Sequence, residues 1–230
     1  MKSLIGAVFF AAGVMLCALP ALADPPDIDL HLGTLGYGAG ITVPVDPHTD
    51  YRFEYSYFQY KRSDVYSNLV INVTATLLLD QTYRLNNAAF LIDKYPFVAS
   101  PFHITAGLML NENTIHGVSS PLGSSITING TTYAQSVAGN VIIDAMWNRV
   151  APYVGIGWAN KHPKHRLSVA GDLGVTYQGK VNIALTATGA IEANESQFQA
   201  YFDEEKRQLT SELAPLQLYP VAQIELRYRL

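Results

Sequence analysis

Pro220-Val221-Ala222-Gln223-Ile224-Glu225-Leu226-Arg227-Tyr228-Arg229-Leu230 closes the sequence and alternates without a break. Ala222, Ile224, Leu226, Tyr228 and Leu230 share one face, and Gln223, Glu225, Arg227 and Arg229 share the other. A period of two marks a strand with one apolar and one polar side, because successive side chains of an extended backbone point to opposite faces. Chain ends ordinarily fray, so an alternation kept to the last residue predicts a terminal strand held in a sheet. An apolar row facing lipid and a polar row facing inward are what a membrane β-barrel requires. This reading changes the solvent assumed for every apolar residue upstream.

The other end of the sequence agrees. Met1-Lys2-Ser3 is a short basic start, Leu4 to Leu16 an apolar run, and Ala21-Leu22-Ala23 a small-x-small cleavage pattern. Together they predict a secretory signal peptide over 1–23, cut between Ala23 and Asp24, with one barrel domain over 24–230. The apolar run is too short to cross a bilayer as a helix. The single cysteine, Cys17, lies inside it, preceded by Val14-Met15-Leu16 rather than the small residues a lipoprotein needs. The exported part therefore has no thiol, no disulfide framework and no cysteine-based metal site.

With a formal charge of −4 and no basic stripe, the composition argues against nucleic acid as a partner. Past the leader no apolar run is long enough for a spanning helix. The 14 Tyr and 9 Phe suit the aromatic girdles of a barrel.

Strand candidates come in pairs joined by short turns. Leu35 to Val43, Tyr51 to Phe58, Phe102 to Asn111, Pro152 to Trp158, Leu167 to Tyr177 and the terminal strand all alternate. Ile71 to Ile92 is β-rich, but its apolar parity slips near Asn86-Asn87, which predicts a bulge or bend there. Pro44–Asp50, Pro96–Pro101 and Asn160–His165 read as short turns. The stretches around Lys61–Asn68, Asn113–Asp144 and Val181–Leu213 read as long loops. Glu192 to Leu213 has no Gly or Pro and predicts a helix within the last of these. Short periplasmic turns alternating with long extracellular loops are the barrel habit. The segments give seven strands where an even number is expected. Asp27–Thr34 and the Ser125–Ile143 region both remain open as the eighth. The fold class expected is all-β, an antiparallel up-and-down transmembrane barrel of eight strands with one loop helix.

The polar rows then place Arg52, Glu54, His103, Asp172, Glu225, Arg227 and Arg229 along the lumen. Opposite charges in an eight-stranded barrel either neutralise one another in a filled interior or form a constriction that selects a small solute. Catalysis would need a nucleophile beside a base. His116, in a loop with Ser119, Ser120 and Ser124, is the one tempting histidine, and Ser-rich loops are common. His162 and His165 sit on a short turn without a carboxylate, a poor metal site. Gly33, Gly36, Gly38 and Gly40 precede no helix, so they do not make a nucleotide loop; close strand packing or a bend explains them better. No catalytic residue, metal or cofactor is expected.

Several motifs read together resemble a family of proteobacterial outer-membrane barrel proteins and, more distantly, the CarO-type barrels. They are Gly33-Thr34-Leu35-Gly36-Tyr37-Gly38, Ile128-Asn129-Gly130-Thr131-Thr132-Tyr133, Ala151 to Trp158, Asp172 to Gly179 and Tyr219-Pro220-Val221. The resemblance implies an outer-membrane barrel; for the CarO type it implies uptake of basic amino acids. It implies no catalytic residues. Two departures stand out: such barrels usually end in Phe, where this chain has Leu230, and Lys180-Val181 replaces a family Gly. The function expected is structural, or that of a narrow channel for a small solute. The alternative is a binding or adhesion protein working through its loops, and a lipid-modifying enzyme is a third reading. The partners expected are outer-membrane lipid, lipopolysaccharide and, through the terminal strand, the barrel-assembly machinery.

Overall fold

The computed structural model describes residues 25–67, 73–74, 76–97, 99–123, 125–128, 131–134, 139–160, 165–189 and 196–230. The expected signal peptide, its Ala23–Asp24 cut and His162 lie outside these residues. In chain order the strands are β1 Asp27–Gly33, β2 Gly36–Asp46, β3 Thr49–Ser67, β4 Val73–Thr74 and β5 Thr76–Lys94. They continue with β6 Phe102–Asn111, β7 Thr114–Pro121, β8 Ser125–Ile128, β9 Thr131–Ala134 and β10 Val141–Met146. Then come β11 Val150–Trp158, β12 Leu167–Tyr177, β13 Asn182–Ala187, the helix α1 Ser196–Glu212, a 3-10 turn Ala214–Gln217 and β14 Leu218–Arg229.

Eight strands close a ring. The order runs β5-β3-β2-β1-β14-β12-β11-β6, and β6 pairs back onto β5. Every pairing is antiparallel. Closure removes the free edges that an open sheet would present. The eighth strand is Asp27–Gly33, which pairs with β14 on one side and β2 on the other. The turn into β2, Thr34-Leu35, is tight because Gly36 adopts φ +104, a left-handed conformation that glycine reaches without a Cβ clash. Among its described residues the Ser125–Ile143 region supplies no ring strand. Its β8 joins β4 and β9 in a separate small sheet, and β10 belongs to an annexe.

That annexe explains the parity slip in β5. The strand is 19 residues long and its register against β3 runs unbroken from Thr49↔Lys94 to Ser67↔Thr76, so there is no bulge at Asn86-Asn87. What changes is the partner. Asn87 to Lys94 pair with β6 inside the ring, while Leu77 to Arg84 pair with β7 beyond it. Within the ring Phe90 and Ile92 lie on the outer face and Leu91 and Asp93 on the inner. Above it the inner-face residues Leu79, Tyr83 and Leu85 are apolar, because they face other protein. The one register shift between β2 and β3 falls at Pro44/Asp46, by the short turn.

The described parts of the first two expected loops are therefore largely sheet, and the third is a short strand and a helix. Lys61 to Ser67 continues β3, paired to β5, and β7, β10 and β13 extend that hairpin sideways. Helix α1 packs on β13: Leu209 and Leu213 cover a cluster of Ala145, Val181 and Ile183. It covers Ser196–Glu212 of the expected Glu192–Leu213 helix; residues 192–195 lie outside the described ones.

Ring strands alternate, most cleanly in β11. Along β11 Ala151, Tyr153, Gly155 and Gly157 are buried, and Pro152, Val154, Ile156 and Trp158 are exposed. The same outward row continues through Leu30, Leu32, Leu108, Val169, Leu173, Ile224 and Leu226, all exposed. The ring is thus apolar outside and mostly polar within, the inverse of a water-soluble barrel.

Candidate functional site

The inward side chains fill the ring in layers. At the end carrying the short turns, Arg229 on β14 pairs with Asp27 on β1 at 2.9 Å. Beside them a small cavity is lined by Asp27, Asp50, Tyr95, Arg227 and Arg229. Tyr95 caps this end, with its ring centroid 5.1 Å from that of His103. Burial, then the Asp50 carboxylate, holds its phenol above the ordinary range, so it remains a neutral hydroxyl.

One step inward, Arg52 is the hub. Its Nη1 and Nη2 donate to the two oxygens of Asp172 at 2.7 and 3.0 Å, and Nη2 also reaches Asp93 at 3.2 Å. Nη1 further contacts Glu225 and lies 3.2 Å from Glu54. The planar fork of a guanidinium suits such paired carboxylate contacts. His103 Nε2 stands 3.1 Å from Asp172, Thr105 donates to Asp93 at 2.7 Å, and Arg227 Nε donates to Glu225 at 2.7 Å. Gln223 donates to Glu54 at 3.0 Å and Glu225 at 2.8 Å. Beside this hub, His31 lies between Asp29 and Ser56, 3.0 and 2.9 Å away.

Above the charges lies an apolar layer of Leu35, Leu91, Met109, Ala151, Tyr153 and Val221. The Tyr153 ring fits because Gly155 and Gly174 have no Cβ; one built on either would stand 2.5 or 2.4 Å from its hydroxyl. Next comes an amide layer. Asn87 donates to Asn113 at 2.9 Å, Asn111 to Gln178 at 3.1 Å, and Gln178 to the Leu216 carbonyl at 2.7 Å. Arg52, Asp93, His103, Thr105 and Glu225 are each 0% exposed. A water path along the axis would leave some of them accessible.

Beyond the amide layer a cleft of about 400 Å³ opens between the β3–β5 hairpin, β7 and the 3-10 turn. Phe58, Tyr60, Tyr83, Trp147 and Tyr219 wall it, and Arg84 also contributes to its lining. Among the described residues Arg84 has no carboxylate partner, and the buried Trp147 indole N–H has no acceptor. A mostly apolar concavity of this size with a few polar groups is of ligand-site type.

Arg52, Glu54, His103, Asp172, Glu225 and Arg227 are thus brought into one network, with Arg229 half-buried at the mouth. Sequence reasoning missed Asp27, Asp29, His31, Asp50 and Asp93. Asp27-Ile28-Asp29-Leu30-His31-Leu32 carries the same period of two as the terminal strand and could have revealed three of them. His116 does not join a serine. Its Nδ1 meets Asp144 at 2.7 Å on the annexe, and no serine hydroxyl bonds to it among the described residues. His165 is exposed. Two buried triads do bring metal-ligand atoms together, Asp29-His31-Glu54 and Asp93-His103-Asp172.

No family model matches the chain, and no curated protein matches it. Solved structures do. The crystal structure of CarO from Acinetobacter baumannii matches at a TM-score of 0.54 with 22% identity, over 92% of this chain and 100% of that one. That of CarO2 from the same organism matches at 0.55 with 20% identity, over 90% and 99%. At such identity the likeness extends to the fold: this chain has a barrel of the CarO kind.

Proposed function

We propose that the protein is an outer-membrane barrel with a filled interior, which acts at the cell surface by binding a small ring-bearing anion. The apolar outer row supports the lipid setting, because an exposed apolar surface of this extent marks membrane contact. The fold shared with the CarO structures and the contrast between short turns and an elaborated opposite end support the outer membrane and its orientation. In this reading β14, with its apolar row ending at Leu230, is what the assembly machinery meets, and the annexe faces lipopolysaccharide.

The observation that carries the binding role is the stack of charged, apolar and amide layers beneath an open aromatic cleft. A narrow channel needs an axial path that those layers occupy. The cleft offers aromatic faces and has the cationic Arg84 in its lining, which together suit an aromatic carboxylate. Calorimetric titration of the detergent-folded barrel with 4-phenylbutyrate tests it. Saturable binding is expected, weakened in Arg84→Gln and lost in Tyr83→Ala. Absent binding, or binding indifferent to both changes, would overturn the reading.

A further inference from the structure

We infer that the barrel interior holds a divalent ion of the zinc class on Asp29, His31 and Glu54. This inference is independent of the cleft. One donor atom from each residue lies within 4.8 Å of the other two, and all three residues are buried. Two donors bound to one tetrahedral ion at about 2.0–2.1 Å stand roughly 3.3 Å apart. The 3.0 Å between His31 Nδ1 and Asp29 Oδ1 is already of that scale.

Three features point to a cation rather than to a chance cluster. The first is an orphaned oxygen. Asp29 Oδ2 is buried and accepts no hydrogen bond, although the side chain is wholly enclosed. It lies over Gly40, where a Cβ would stand 2.5 Å from it, and Gly40 is the cross-strand neighbour of Glu54. The free oxygen is thus directed from β1 across a recess in β2 toward the third ligand. Gly38 deepens the same recess, since its Cβ would stand 2.3 Å from His31 Nε2.

The second is the far side of the imidazole. Ser56 Oγ is 2.9 Å from His31 Nε2. A metal-bound histidine commonly donates its other ring N–H to such a partner, which fixes the tautomer. If Nε2–H donates to Ser56, the Nδ1 lone pair faces a carboxylate oxygen, an arrangement that needs a cation between them. The competing arrangements are a proton on Nδ1 with Ser56 donating to Nε2, and an imidazolium that donates from both nitrogens to Asp29 and Ser56. Both leave Asp29 Oδ2 unsatisfied.

The third is charge. Among the described inward groups, Asp27, Asp29, Asp50, Glu54, Asp93, Asp172 and Glu225 outnumber the permanent cations Arg52, Arg227 and Arg229, even with His31 and His103 counted beside them. Buried carboxylates in such excess are costly without counter-charge. The second triad, Asp93-His103-Asp172, already has its cation, because the Arg52 guanidinium bonds both carboxylates. At the first triad Arg52 reaches Glu54 alone. An ion entering from the mouth would meet Asp27 on the way, two residues before Asp29 on the same inward row.

The test uses the folded barrel in detergent, stripped with a chelator and then given Zn²⁺. Elemental analysis after desalting should find one zinc per chain, with a raised melting temperature. Asp29→Asn and His31→Gln should weaken binding by more than about tenfold, while His116→Gln on the annexe should not. Heat-modifiable migration shows whether each variant has folded. Co²⁺ substitution of the unaltered chain provides a readout that needs no variant: intense visible absorption of a four-coordinate N/O site is expected. A folded barrel that retains no zinc, an aqueous-type Co²⁺ spectrum, or full binding in folded Asp29→Asn would each overturn the inference.

Discussion

Arg52 decides the interior at the scale of single residues. It is the one cation that touches Glu54, Asp93, Asp172 and Glu225 together. Removing it takes the arginine from four buried carboxylates, of which Glu225 alone keeps another in Arg227, and breaking a buried pair costs about 3–5 kcal/mol. Arg52→Met should therefore lower the melting temperature of the detergent-folded barrel further than Glu54→Gln does, since Glu54 keeps Gln223 as a partner. Equal melting of the two variants would remove Arg52 from its central role. The glycines supply a second contrast. A Cβ at Gly38 would fall 2.0 Å from the Tyr55 carbonyl oxygen and 2.3 Å from His31 Nε2, so Gly38→Ala must displace backbone. At Gly171 the nearest atom is 3.4 Å away, and Gly171→Ala should be tolerated. Thermal melts of the two variants side by side check this.

Strands differ in how plainly they can be read, and the reason is solvent. In β11, and in β14 from Ala222 onward, each face keeps one environment, so the alternation of Pro152 to Trp158 and of Ala222 to Leu230 reports the ring directly. In β5 the environment changes partway. The row holding Leu91 and Asp93 turns inward in the ring, and the same row holds Tyr83 and Leu85, which wall the cleft beyond it. No local residue signals that exchange of partner, because it depends on β6 giving way to β7. Asp93 was hidden for the same reason. Its partners Arg52 and Thr105 come from two other strands, and only closure brings them together. The cleft was illegible because its residues come from β3, β5, the stretch after β10 and the 3-10 turn. The annexe should also behave differently in motion. The strands β7, β10 and β13 extend from one edge of β5 and stop at β13, which pairs on one side alone, whereas the ring closes on itself. Local opening is easier where fewer contacts must break, so their amides should exchange with solvent about tenfold or more faster than those of β12 and β14. Hydrogen exchange read by mass spectrometry decides it; uniform protection across the sheet would contradict a hanging annexe.

Taken whole, the molecule is a ring with its solvent preferences inverted and one end elaborated. The sole cysteine, Cys17, falls within the expected signal peptide, so single cysteines introduced elsewhere can report sidedness. Leu122, exposed beyond β7, should be labelled as Leu122→Cys by an impermeant maleimide on intact cells. Phe97, exposed in a short turn at the other end, should be labelled as Phe97→Cys only after the outer membrane is breached. The reverse pattern would invert the orientation. The central claim is that the ring is filled, and it rests on Arg52, His103 and Glu225 being 0% exposed beneath the Leu91, Met109 and Tyr153 layer. Single-channel recording of the folded barrel in planar bilayers tests it most directly. A silent barrel is the predicted result, and steady conductance steps from folded, heat-modifiable protein would contradict it.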